Sequence, residues 1–149
     1  MALPQTKQDA TDARLAALSL PEGGWAEPAR RDALARLRAM GLPHARDEYW
    51  KYTRPDTLVA AEAPKARVLE PDEEPIFGEM DRLKIVFVDG VFDADASDDL
   101  SLEGVTIDRL VDAPDIHWAR DVYGVLEANG QTPVQRPLAA LNTAFATDG

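Results

Sequence analysis

The stretch "LKIVFVDGVF", Leu83 to Phe92, constrains the fold of this chain more than any other. A β-branched apolar run meets Asp89-Gly90, a dipeptide suited to a two-residue type I′ turn, and a short return strand follows. A hairpin is predicted here. Along the first strand Ile85 and Phe87 project to one side and Val86 and Val88 to the other. Both faces then need cover, so the expectation is an internal sheet shielded on one side by helices.

Helical spacing dominates on either side of the hairpin. Residues Lys7 to Leu18 place Asp9, Thr11 and Asp12 early and Leu15 and Leu18 three apart, a short and weakly amphipathic helix that "LPEGGWAEP" then breaks. Pro28 suits the first turn of the next helix, in which Ala33, Leu37 and Met40 follow with Leu34 at helical spacing. Gly41 supplies its left-handed stop, with Pro43 beyond. The arginines of this helix, Arg30, Arg31, Arg36 and Arg38, are read as its wet side. Pro64, Pro71 and Pro75 interrupt the following linker, where a short strand is expected at Ala66 to Leu69. "GVTIDRLV", Gly104 to Val111, alternates as a further strand. After Pro114, Ile116, Ala119, Val122, Tyr123 and Leu126 recur at helical spacing until Asn129-Gly130, and a last helix starts at Pro137 with Leu138, Leu141 and Phe145 on one side. The organisation expected is one α+β domain over 1–149: helical over 1–56, linker over 57–75, hairpin and strand over 76–111, helical over 112–149.

Charge and composition exclude several classes of function. A chain of 149 residues with net charge -11 is a poor match for a phosphate backbone, so nucleic acid is not expected as a partner. The acid is concentrated: residues 1–67 carry 11 Lys and Arg against 9 Asp and Glu, whereas residues 68–149 carry 5 against 18. That half is either a docking face for a basic partner or, in the plainer reading, a well-solvated surface. There is no cysteine, so thiolate nucleophiles, disulfides and thiolate metal or cluster sites within the chain are ruled out. No apolar run is long enough for a membrane span and no secretory leader is evident, so a cytoplasmic location is expected without membrane partners.

Motifs that carry chemistry are missing. Ser19, Ser97 and Ser101 lie outside any nucleophile elbow, no glycine-rich phosphate cradle is present, and His44 and His117 have no second ligand at metal spacing. Asp93, Asp95 and Ser97 match the first three ligands of a calcium loop, but Asp98 and Gly104 stand where the loop needs glycine and glutamate. "DADASDDLSLEG" is therefore read as a polar loop, with a metal-dependent hydrolase built on Asp93 to Glu103 as an outlying alternative. No residue is assigned a catalytic, cofactor-binding or metal role.

A different kind of signal lies in "RDEYWKYT", Arg46 to Thr53, which gathers Tyr49, Trp50 and Tyr52 among charges. As a short helical turn or an extended strap, it would lay Trp50, with Tyr49 or Tyr52, over the apolar helix face and anchor the junction behind the first helices. Extended to "GLPHARDEYWKYT", with Gly41, Leu42, Pro43, Arg46, Trp50, Lys51, Tyr52 and Thr53, it resembles the N-terminal signature of the SufD family of the SUF iron-sulfur cluster assembly system. "IVFVDGVF", containing Asp89 and Gly90, and "LAALNTAFATDG", containing Leu141, Asn142 and Thr143, are similar to two further stretches of that family in the same order. Arg54-Pro55 and Tyr49 depart from its common pattern.

The resemblance spans the whole chain but only about the first third of a typical member. It implies a non-enzymatic accessory domain of a SufB-SufC-SufD scaffold, with no cofactor of its own and the cluster handled by the complete complex. In that family the partners SufB and SufC are met through a β-helix and a helical region that would follow this segment. The alternative of another class is a free-standing acidic interaction or regulatory domain.

Overall fold

Pro28 and Gly41 bracket the central helix of the computed structural model, which describes residues 4–62, 76–88, 90–101, 104–113, 117–130 and 134–147. Among these the elements run α1 (Gln5–Ala16), α2 (Glu27–Met40), a 3-10 turn (Glu48–Trp50), β1 (Val86–Val88), β2 (Val91–Asp93), α3 (His117–Val122), α4 (Val125–Ala128) and α5 (Pro137–Phe145). The chain is thus an α+β protein with helices at both ends.

The core forms where α2 meets α5, the most extensive contact between elements. Ala33 and Leu37, one turn apart on α2, are fully buried, and so are Ala140 and Ala144 on α5. Small residues one turn apart let the two helix backbones approach closely. Leu37, Leu42, Ala140 and Leu141 make the buried cluster, with Leu15, Leu18, Leu34, Met40, Val59, Leu138 and Phe145 packed around it. Each fully buried leucine contributes about 1.5–3 kcal/mol relative to exposure. Gly41 stops α2 with φ 65°, but its ψ of 158° leads the chain away extended rather than through a left-handed helical cap. Its N–H still donates to the Leu37 carbonyl at 2.7 Å, closing the last turn.

The hairpin forms in the expected register, with Val88 opposite Val91, Phe87 opposite Phe92 and Val86 opposite Asp93. Gly90 has φ 80°, the positive value that the second loop residue of a type I′ turn requires; Asp89 lies outside the described residues. Beyond β2, the Ser97 hydroxyl accepts from the Val86 N–H and donates to the Asp93 carbonyl, bridging the backbone of the last pair. The expectation of an internal sheet is overturned: Phe87 is 45% exposed and Val91 64%. The apolar faces of α2 and α5 are spent on each other, and the apolar residues Trp118, Val122 and Leu126 of α3 and α4 are themselves exposed.

Two further expectations need correction. Gly104 to Val111 is not a strand but carries a single bridge at Val105. The Arg109 carbonyl accepts from the N–H groups of Asp112 and Ala113, a turn that ends the alternation. Residues 117–128 form two short helices instead of one, because Gly124 takes φ 74° between them. That bend brings the Tyr123 hydroxyl to the Thr143 carbonyl at 2.6 Å and sets its ring edge-on to Trp25. The strand expected at Ala66 to Leu69 lies outside the described residues. The linker's start is docked: Arg14 donates to the carbonyls of Ala60 and Ala61, and Pro55 is fully buried.

Candidate functional site

α1 turns an unusual face inward. Its buried residues are Lys7 and Thr11, one turn apart and continuous with Leu15 and Leu18 along a single stripe. The Thr11 hydroxyl donates to the Lys7 carbonyl at 2.7 Å and accepts the Leu42 N–H at 2.8 Å. This bond fastens the Gly41-Leu42-Pro43 turn, all three of whose residues are buried, onto α1. Lys7 runs on to Asp47 Oδ2 at 2.9 Å, and the same oxygen accepts the His44 N–H at 3.0 Å.

Asp47 feels opposing influences. Burial pushes its carboxyl up, but the hydrogen bonds from Lys7 and His44 and the charge of Lys7 prevail and hold it below the ordinary 3.8. The carboxylate is thereby fixed as an anion that orders the turn. From it the backbone enters the 3-10 turn, where the Trp50 N–H donates to the Asp47 carbonyl and the Thr53 N–H to the Trp50 carbonyl.

The turn lines a groove of about 610 Å³ together with Lys7 and with Val134, Gln135 and Pro137 at the approach to α5. Trp50 is half-buried along it, whereas its neighbours are exposed. Tyr49 is 73% exposed and Tyr52 91%, with the Lys51 ammonium 5.3 Å from the centre of the Tyr52 ring. Both tyrosines face water.

The remaining motif residues divide clearly. Leu42 and Leu141 enter the same buried cluster. Thr143 is half-buried against Gly124, Asn142 is exposed on α5, and Arg46, Lys51 and Thr53 lie at the surface. Gly90 sits apart at the exposed hairpin tip. Asp93, Asp98 and Asp99 spend carboxylate oxygens on the backbone N–H groups of Ala96, Lys84 and Ser101, the bonding of a polar loop. Among the described residues no group of three or more His, Asp or Glu side chains is placed to hold a metal ion, and no helix is long and apolar enough to cross a membrane.

Chemically the groove offers an aromatic side chain, a half-shielded ion pair and the apolar side chains of Val134 and Pro137. Lys7, Thr11 and Arg30 are the residues that sequence reasoning passed over. The first two had a legible signal, since positions 7, 11, 15 and 18 continue one helical stripe. Arg30, taken for part of the wet side of α2, is buried. No family model matches the chain, and neither a curated protein nor a solved structure does.

Proposed function

We propose that the chain is the N-terminal accessory module of a SufD-like protein, a non-enzymatic part of a cytoplasmic SufB-SufC-SufD-type scaffold for iron-sulfur cluster assembly. The observation that carries this reading is the meeting of two motif stretches from opposite ends of the chain, which supply Leu42 and Leu141 to one buried cluster. A signature shared between a turn and a distant helix has a physical reason when the two complete one core. The third stretch, the hairpin, supports an assembly role differently. It presents Phe87, Val88 and Val91 to solvent, an apolar surface of the kind that subunits of complexes bury. Lacking cysteine, the module holds no cluster on thiolates of its own.

The test is to read the gene past the codon for Gly149 and express its complete product together with SufB and SufC. The reading predicts a frame that continues into β-rich repeats and a product that co-purifies with both partners in fixed stoichiometry. A stop codon at that point, with a product that elutes alone, would replace it with the free-standing acidic interaction domain.

A further inference from the structure

Arg30, in the first turns of α2, is only 3% exposed. One of its terminal nitrogens, Nη2, donates to the Ala146 carbonyl at 2.7 Å, while Nε is buried with no hydrogen-bond partner. None of the ion pairs among the described residues includes it. Arg14 also has a buried Nε without a partner, but its guanidinium is answered by two carbonyls and its side chain reaches solvent. At Arg30 a full positive charge is withdrawn from water and met by one neutral carbonyl. A buried charge in that condition is costly until an anion joins it.

Space for an anion lies beside it. Arg30 lines a cavity of about 80 Å³ together with residues 21–26, Leu110 and Val111. That is room for roughly two to three waters, about the size of a two- or three-carbon carboxylate. We propose that this cavity binds the carboxylate of a short aliphatic acid, its oxygens on the Arg30 guanidinium. A planar carboxylate matches the guanidinium fork. A dianionic phosphate fits less well, since it would meet the carboxylate of Glu22, which also lines the cavity. Glu22 is exposed and makes no ion pair with Arg30.

The experiment is a titration of the unaltered, arginine-labelled chain with propionate at constant ionic strength, following the Nε–H signal of Arg30 by NMR, with exposed Arg38 as the internal control. The expected result is a saturable shift at Arg30 alone, with phosphate and chloride binding at least about tenfold more weakly. An Arg30→Lys variant, which keeps the charge but loses the fork, should weaken propionate binding by about tenfold. A drift that does not saturate, or equal shifts at Arg30 and Arg38, would overturn the site. Equal saturation by chloride would overturn the carboxylate class. The titration of the unaltered chain decides the matter even where the Arg30→Lys chain does not fold.

Discussion

One hydroxyl joins two distant segments of this chain. Thr11 Oγ links the Lys7 carbonyl to the Leu42 N–H, and Thr11 itself is 2% exposed. Thr11→Val keeps the shape of the side chain but leaves the Leu42 N–H buried without an acceptor. The expected cost is about 1–3 kcal/mol, read as a lower midpoint in urea unfolding. Asp47 carries a pH dependence whose sign follows from its partners. Its carboxyl lies below 3.8 in the folded chain, so its stabilising effect is complete above the unfolded carboxylate range and fades as pH falls through 3.8 toward the lower folded value. The stability gap between the unaltered chain and Asp47→Asn should accordingly narrow between pH 7 and pH 3. At this scale the sequence was legible only in part. The aromatic cluster stood out by composition, yet of its members only Trp50 is half-buried, and a buried lysine, threonine or arginine is identified by its partners, which lie far along the chain.

Elements were read best where propensity and burial agree. α2 and α5 begin at prolines and place their apolar residues on one side, so pattern and packing give the same answer. The hairpin shows the limit. Its turn and register are local and were legible, whereas its exposure depends on which helices have apolar surface to spare. Residues 117–128 illustrate another competing influence, since a helical pattern was interrupted by Gly124 to let Tyr123 reach α5. A β-carbon at Gly124 would lie 2.9 Å from Thr143 Cγ2, and its φ of 74° disfavours any side chain. Gly124→Ala should destabilise by about 1–2 kcal/mol from the backbone conformation alone, and by more from the clash. Thr143→Ser in the same chain removes the offending methyl and should recover the steric part but not the conformational part, as measured by thermal unfolding.

Across the whole molecule, a helical core is built from both ends of the chain and the hairpin stands outside it. The order of elements along the chain anticipated the α+β class but not this arrangement, because periodicity shows that a face is apolar without showing what it meets. The central claim is that the Gly41-Leu42-Pro43 turn and the Pro137–Phe145 helix complete one core, since the functional reading rests on their meeting. A double-mutant cycle of Leu42→Val and Leu141→Val tests it most directly by urea unfolding. Each change should cost about 1 kcal/mol. If the two side chains share one cluster, the double variant should depart from the sum of the single effects by about 0.5 kcal/mol or more. Additivity to within about 0.3 kcal/mol would mean that the two stretches act independently, and would contradict the account.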